Sequence, residues 1–294
     1  MDCLMKKLDN KHFRPFVIEK KGLEICEAGS SAEGDADQTQ KPEPNTQDVG
    51  NVQPSILPPE VVAPTGHVAL VFTDVRNSTH LWDANAGMPI AIRLYNQVLR
   101  RQLRLCGGYE VKMKGDAFMC SFQNVLSALR WCLMVQLDLL RASWPLEILE
   151  CEDGEEVYDD KNGKLIKRGL SVQMGVHYGM PVCESEPITH RMDYFGPMVN
   201  RAARIAGSAN GGEILASADV VREIYSQVLN ETYNPSNPES KAFDTTIEGI
   251  DIEIIPVGER PLKGLKEPEI LSLVYPKELI GRYEASSAYQ LHTD

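Results

Sequence analysis

An almost unbroken apolar run at Val68–Thr73 is the strongest hydrophobic feature of the chain. A continuous run of this length predicts a strand that is buried on both faces, near the centre of a sheet. The run ends on Asp74, and Asn77, Ser78 and Thr79 follow, which are residue types that cap helices with a side-chain oxygen. The pattern therefore predicts a central strand, an acid at its end, a tight turn and the start of a helix.

Helical and strand periodicities alternate in the segments that follow. A helix is predicted from Thr79 to about Leu105, with a break at Gly87–Pro89. Its apolar stripe consists of Ile90, Leu94, Tyr95, Val98 and Leu105. Tyr109–Phe122 predicts a β-hairpin with Gly115–Asp116 at its tip, and Val125–Leu140 predicts a second helix.

The second half of the domain repeats this alternation around a polar insertion at 141–169, which we expect to contain a small hairpin. Strands are predicted at Leu170–Tyr178, Glu213–Ala216, Ile250–Val257 and Leu271–Tyr275, helices at 197–207 and 217–225, and a loop at 230–249. This order predicts an α+β fold, an enlarged ferredoxin-like (split βαβ) sheet rich in antiparallel pairs, with the helices on one face.

The flanking segments differ from this central domain in composition. Residues 1–26 are expected to be a partly ordered segment or the remnant of an upstream domain. Residues 27–65 contain many acids and prolines and only one lysine, Lys41. Such a segment cannot bury enough apolar surface to offset its conformational entropy, so we expect a disordered linker. The folded domain is then 66–276, followed by a C-terminal tail at 277–294.

Composition narrows the class of protein. The net charge of −12 argues against non-specific binding of nucleic acid. The seven cysteines lack a C-x-x-C pair, and Cys106, Cys120 and Cys132 lie in apolar segments, which indicates reduced core thiols. No run of 18 apolar residues and no signal-peptide core is present, so we expect a cytoplasmic protein without a transmembrane segment.

Two acids are candidates for a metal site. Asp74 ends the buried strand, and Asp116 lies at the tip of the predicted hairpin. Adjacent strands are about 4.8 Å apart, so carboxylates on two of them can share hard cations. Taken alone, each acid is better explained as a turn residue, Asp74 as a solvated cap and Asp116 as part of a Gly-Asp turn. Together they predict a site for divalent metal and polyphosphate.

Four motifs occur in a fixed order along the chain, at Phe72–Thr79, Lys112–Phe118, Asp193–Arg204 and Leu262–Gly264. In this order they resemble the class III nucleotidyl cyclases, and their context looks most like fungal adenylyl cyclases, with kinetoplastid enzymes next. The resemblance covers roughly 66–275. It implies the cyclase catalytic fold and the conversion of ATP to 3′,5′-cyclic AMP and pyrophosphate.

The resemblance also implies roles for individual residues. Asp74 and Asp116 would bind two Mg²⁺ ions, for which Mn²⁺ can substitute, with the Val75 carbonyl as a further ligand. The backbone N–H groups of Asn77, Ser78 and Thr79 would bind the β- and γ-phosphates, and Lys263 would bind the terminal phosphates. Lys112 and Asp193 would bind adenine. Asn200 would orient the ribose, and Arg204 would neutralise the charge on the α-phosphate.

Elementary chemistry supports several of these roles. Lys112 can donate to N1 of adenine but not to the N1–H of guanine, whereas Asp193 can accept from the adenine amine. Asn200 and Arg204 are four residues apart, so on a helix they share one face. Taken singly, Lys112 could be an edge-strand lysine and Arg204 a solvated helix charge. His177 is interpreted as a structural residue at a strand end.

In this family the site lies between two subunits, which implies a homodimer with shared active sites. Fungal relatives are peripheral to membranes and respond to Ras-type GTPases and a cyclase-associated protein, and such regulation would act through regions outside this chain. The competing hypotheses are another palm-like enzyme such as a diguanylate cyclase or polymerase, a catalytically weak or inactive nucleotide-binding regulatory module, and a scaffold.

Overall fold

The computed structural model describes residues 61–229 and 243–285 of the 294-residue chain. The predicted segment at 1–26, most of the predicted linker, and residues 286–294 of the predicted tail lie outside the described residues. Within them no helix is both long and apolar enough to cross a membrane. Cys106, Cys120 and Cys132 are buried free thiols, as the sequence predicted.

Most element boundaries agree with the predicted alternation. The helices are α1 Ser78–Ala84, α2 Met88–Leu105, α3 Val125–Arg141, α4 Leu146–Leu149, α5 Pro197–Ala206 and α6 Ala218–Ile224, followed by a π-helix at Tyr225–Leu229 and, later, a 3₁₀ helix at Lys277–Leu279. The strands are β1 Val68–Val75, β2 Tyr109–Lys114, β3 Ala117–Phe122, β4 Val157–Tyr158, β5 Leu165–Lys167, β6 Val172–Gly179, β7 Val182–Ser185, β8 Met192–Phe195, β9 Ile214–Ser217, β10 Phe243–Ile247, β11 Ile250–Arg260 and β12 Glu269–Pro276.

One sheet of eight strands organises the described residues, in the order β10-β11-β12-β9-β6-β1-β3-β2. Strand β1 pairs with β3 and β6 in antiparallel fashion, and among the described strands of this sheet only β6 and β9 pair in parallel. All eight residues of β1 are buried. The α+β fold, the antiparallel-rich sheet and the central position of Val68–Thr73 are therefore confirmed.

The helices cover both faces of the sheet, and the prediction that they lie on one face was wrong. Ala69 and Val71 point toward the core formed with α2, α3 and α6. Leu70 and Phe72 point the other way, into a second core that contains Ala202 and other residues of α5. An unbroken apolar strand must bury the side chains on both faces, so a second helical layer is needed.

The domain also begins earlier and ends later than predicted. Residues 61–65, assigned to the linker, lie against the domain, where the Tyr194 hydroxyl donates to the Pro64 carbonyl over 2.7 Å. The predicted tail includes the buried 3₁₀ residue Leu279 and a helical turn at 281–285. From this turn Arg282 donates to Gln136 of α3 over 2.6 Å, which ties the segment to the core.

Three strands, β7, β8 and β10, were not predicted from the hydrophobic pattern. The hairpin of β7 and β8 was not predicted, and β10 lies within the segment 230–249 that was predicted to be a loop; residues 230–242 lie outside the described part. Strand β10 is at the edge of the sheet and exposes Asp244 and Thr246, so it lacks the apolar run of a central strand. Ile90 and Leu105 of the predicted stripe are 52% and 70% exposed.

Candidate active site

The two acids predicted to bind metal meet at one end of the central strands. Asp74 lies near the end of β1, and Asp116 is in the tight turn between β2 and β3. The paired register of β1 and β3 stops at Thr73 and Phe118, so both acids lie just beyond it. There the Val75 N–H donates to Asp116 Oδ2 over 3.1 Å. Both carboxylates are only 4% exposed.

This donor set suits a hard divalent cation. Two carboxylates and a carbonyl such as that of Val75 are oxygen ligands, and Mg²⁺ is usually bound by one or two carboxylates together with substrate phosphates and water. Among the residues that the structure describes, no group of three or more His, Cys, Asp and Glu side chains forms a complete metal cage. The oxygen donors of Asp74, Asp116 and Val75 fit a divalent cation whose remaining ligands are phosphate and water.

A buried tyrosine on α2 lies behind the acids. The Tyr95 hydroxyl donates to the backbone carbonyl of Asp116 over 2.9 Å and lies 2.9 Å from Thr73 Oγ1. Burial raises the pKa of Tyr95 well above its ordinary value, and the charges of Asp116 and Asp74 raise it further. The phenol therefore remains neutral, and its proton is available to the carbonyl.

The turn after Asp74 is fixed by segments distant in sequence. The Arg76 N–H donates to the Ser171 carbonyl over 2.9 Å. Asn77 adopts a left-handed backbone with a φ of 54° and precedes α1, as predicted. Its side chain does not cap that helix, contrary to prediction, but donates to Asp153 Oδ1 over 2.7 Å. Of the other predicted phosphate ligands, Ser78 is buried and Thr79 is exposed.

Lys112 and Asp193, which are predicted to bind adenine, are paired with each other. Lys112 Nζ lies 2.8 Å from Asp193 Oδ1 and 2.7 Å from Asp193 Oδ2. The same ammonium group is 5.6 Å from the centre of the Phe195 ring. Because β8 contains Asp193 and Phe195, the hairpin that the sequence missed is the element that positions this pair.

The predicted catalytic residues lie on α5, which covers the face of the sheet toward which Leu70 and Phe72 point. Asn200 is exposed and Arg204 is half-buried, while Ala203 and Ile205 of the same helix are buried. A β-carbon at Gly264 would lie 3.7 Å from Arg204 Nη2. The turn that contains Lys263, which is exposed, therefore approaches the Arg204 guanidinium.

Sequence reasoning did not identify Asp153 or the hydroxyl of Tyr95 as part of this neighbourhood. Asp153 belongs to the insertion and is separated by 76 positions from Asn77, so no local pattern links them. Tyr95 was assigned to an apolar stripe. The available signal was its phenol, because a buried tyrosine hydroxyl usually has a hydrogen-bond partner.

Comparison with known proteins identifies the family of this chain. Residues 60–241 match the family model described as the adenylate and guanylate cyclase catalytic domain. The chain is 53% identical over 253 residues to an adenylate cyclase of Mycosarcoma maydis, a match that covers 76% of this chain and 10% of that protein. It is 47% identical over 244 residues to an adenylate cyclase of Neurospora crassa, which covers 78% of this chain and 10% of that protein.

A structural neighbour shows the same fold. The structure of an adenylate cyclase from Trypanosoma brucei in its monomeric state has a TM-score of 0.57 and 24% sequence identity, and the match covers 74% of this chain and 91% of that one. The chain spans about one tenth of the length of the curated relatives above. The family match covers more than half of the chain, so the chain belongs to the family of adenylate and guanylate cyclase catalytic domains.

Proposed function

We propose that this domain is an adenylate cyclase that converts ATP to 3′,5′-cyclic AMP and pyrophosphate. The observation that supports it most directly is the combination of two buried acids, Asp74 and Asp116, with the Lys112–Asp193 pair in one chain. The acids suit a metal-bound triphosphate, and the pair offers a donor and an acceptor that match adenine. The relatives named adenylate cyclase support the same activity.

In the proposed reaction the ribose 3′-oxygen attacks the α-phosphorus in line. A P–O bond forms as the bond to the departing pyrophosphate breaks. Two divalent cations, Mg²⁺ or Mn²⁺, bound by Asp74, Asp116 and the Val75 carbonyl, would activate the 3′-hydroxyl and neutralise charge on the leaving group.

The other residues of the chain bind and orient the substrate. The backbone N–H groups of 77–79 bind the β- and γ-phosphates, and Lys263 pairs with the terminal phosphates. Asn200 orients the ribose, and Arg204 neutralises the charge that grows on the α-phosphate. Most of the rate enhancement then comes from positioning and from preorganised charge.

Selectivity for adenine is proposed to come from the paired Lys112 and Asp193. In this pair each side chain fixes the direction of the other before substrate binds. When ATP enters, Lys112 donates to N1 of adenine and Asp193 accepts from the amine. Guanine would place a donor against the lysine and a carbonyl against the carboxylate, so binding of GTP would leave the ammonium and carboxylate groups without matching partners on the base.

We further infer that the active form is a homodimer with two shared sites. Exposed apolar side chains lie on the hairpin that contains Asp193, where Val182 and Phe195 are 56% and 44% exposed and the Phe195 ring is 5.6 Å from Lys112 Nζ. Val182 and Phe195 are directly paired between β7 and β8. A second copy of the chain would cover this surface and bring its own metal acids to the adenine pocket.

Localisation and regulation extend the proposal by analogy with fungal relatives. We propose a cytoplasmic enzyme peripheral to membranes, with control by a Ras-type GTPase and a cyclase-associated protein exerted through regions beyond this catalytic domain. If regulation acts through other regions, the cyclase activity of the purified chain should not change when membranes, the GTPase or the cyclase-associated protein are added.

The activity is tested by incubating the full chain with ATP and Mg²⁺ or Mn²⁺ and measuring cyclic AMP, with GTP in parallel. We expect cyclic AMP to form in preference to cyclic GMP. Arg204→Ala should lower the rate by about 10²–10³-fold, the usual effect of losing one preorganised donor to the transition state. ATP binding without turnover would instead indicate a nucleotide-binding regulatory module.

A further inference from the structure

The Tyr95 hydroxyl bonds to both of the segments that bear the metal acids. A phenol has one hydrogen to donate, and here it is directed to the Asp116 carbonyl over 2.9 Å. The contact of 2.9 Å with Thr73 Oγ1 must then be a hydrogen bond donated by the threonine. Thr73 immediately precedes Asp74, so one oxygen atom joins the two chain segments.

This link lies where the sheet no longer holds the two segments together. Paired residues of β1 and β3 end at Thr73 and Phe118, and those of β2 and β3 end at Lys114 and Ala117. Asp116 therefore lies in the turn beyond the last paired residues of these strands. In the described contacts its backbone carbonyl is held by Tyr95 and its carboxylate by the Val75 N–H.

Tyr95 is on the opposite side of the sheet from the proposed substrate. Side chains alternate along a strand, and Leu70 and Phe72 face α5, so Asp74 follows them on that face. Thr73 and Tyr95 lie on the other face, where Tyr95 packs edge-on against Phe118 at 5.8 Å between ring centres. Its exposure is 0%, so it cannot touch a nucleotide.

We propose that Tyr95 is a positioning residue for the divalent-cation site, and that its hydroxyl fixes the separation of Asp74 and Asp116 through Thr73 and the Asp116 backbone. This inference rests on the proposed function, because it assigns a cation to those acids. Partners that orient metal ligands typically change metal affinity by about 10–100-fold when they are removed.

The direct test is Tyr95→Phe, which removes one oxygen atom and keeps the ring that packs against Phe118. Mn²⁺ affinity is measured by electron paramagnetic resonance on the full chain in the presence of 3′-deoxy-ATP, which cannot cyclise. We expect the Kd for Mn²⁺ to rise about 10–100-fold. In activity assays the apparent KM for Mg²⁺ should rise similarly, with kcat at saturating Mg²⁺ changed less than about threefold.

Tyr194→Phe is a matched control for the loss of hydrogen bonds. The Tyr194 hydroxyl, like that of Tyr95, bonds to one side-chain hydroxyl and one backbone carbonyl, those of Ser121 at 3.1 Å and Pro64 at 2.7 Å. Both variants should lower the thermal unfolding temperature by similar amounts. Only Tyr95→Phe should weaken Mn²⁺ binding; an equal Mn²⁺ affinity in Tyr95→Phe and wild type overturns the positioning role.

A second pair of variants decides the matter if Tyr95→Phe does not fold. Thr73→Val removes the hydroxyl that donates to Tyr95, and Thr73→Ser keeps it. The valine variant should weaken Mn²⁺ binding and the serine variant should restore it, and equal affinities in the two overturn the inference. If the wild-type chain forms cyclic AMP while these variants bind Mn²⁺ normally, the positioning role of Tyr95 is refuted and the proposed function is not. If the wild-type chain neither binds Mn²⁺ nor forms cyclic AMP, both the positioning role and the proposed function are refuted.

Discussion

His177 illustrates how a single side chain is controlled by its surroundings. It is 2% exposed at the end of β6, and its Nδ1 lies 2.8 Å from Ser217 Oγ. Burial lowers the pKa of His177 to about 4, and the nearby Asp219 carboxylate opposes this shift only in part. A neutral histidine bonded to a serine is a structural residue, as the sequence-based interpretation had it, and it is not placed to serve as a general base.

This pKa predicts that the protein loses stability in mild acid. Between pH 6.5 and about 4 the unfolded chain protonates this histidine and the folded chain does not, so stability falls as the pH falls. The contribution at pH 4.5 is about 2–3 kcal/mol relative to pH 7. It is measured as the difference in urea unfolding free energy between the two pH values.

The matched comparison uses two histidine variants. His177→Gln should reduce this pH-dependent loss by about 2–3 kcal/mol, because glutamine does not titrate. His67→Gln, at an exposed position, should retain the wild-type dependence. Equal slopes in all three proteins between pH 4.5 and 7 would show that His177 is not the group responsible.

At the scale of elements, the insertion at 141–169 contacts the turn proposed to bind phosphate. Asn77 holds a left-handed backbone, which is strained for a residue with a side chain, and its amide donates to Asp153 Oδ1 over 2.7 Å. Asp153 Oδ2 also lies 3.8 Å from His80 Nδ1 on α1. The insertion therefore supports the turn from outside the central sheet.

Removing this support should weaken ATP binding. Asp153→Ala and Asp153→Asn both remove the negative charge, but only the asparagine variant keeps an oxygen that can accept from Asn77. We expect the KM for ATP to be about 2–10-fold higher in the alanine than in the asparagine variant, the effect of one partly exposed hydrogen bond. Steady-state kinetics at saturating Mg²⁺ provide the comparison.

A double-mutant cycle completes this test. If the bond to Asn77 is responsible, Asp153→Ala should have little further effect in a chain that already has Asn77→Ala. Fully additive effects would assign the role of Asp153 to its charge or to His80 rather than to the turn.

At the scale of the whole molecule, the acids proposed to bind metal and the residues proposed to bind adenine form separate groups. Asp74 and Asp116 meet just beyond the paired register of β1 and β3, whereas Lys112 and Asp193 pair between β2 and β8. In the proposed homodimer one copy provides the acids of a site and its partner provides the adenine pocket, Asn200 and Arg204.

Mixing two inactive variants tests this arrangement. Asp74→Ala chains and Arg204→Ala chains each spoil both sites of their own homodimer. A mixed dimer contains one site with both substitutions and one site with neither. In an equimolar mixture about half of the dimers are mixed, and each has one intact site out of two. Activity should therefore return to about one quarter of wild type. The measurement is cyclic AMP formation after confirmed subunit exchange, and no recovery would contradict shared sites.

Local patterns predicted much of the fold because hydrophobic periodicity acts over short distances. The run Val68–Thr73 was correctly placed at the centre of the sheet, and the Gly115–Asp116 turn was correctly placed at a hairpin tip. The same reasoning failed for β10 and for residues 61–65 and 277–285, whose order depends on distant partners such as Gln136 and Tyr194.

The candidate site also has some features that follow from local sequence and others that depend on tertiary contacts. The sequence alone determined that Asp74 ends a buried strand, that Asp116 lies at a hairpin tip, and that Asn200 and Arg204 share a helix face, because strand and helix periods fix such relations locally. Only the tertiary structure decided that α5 covers the opposite face of the sheet from α2, that Asp153 supports Asn77, and that Tyr95 bonds to both acid-bearing segments. These contacts join residues 21 to 76 positions apart, and they form only when the packed core brings those segments together.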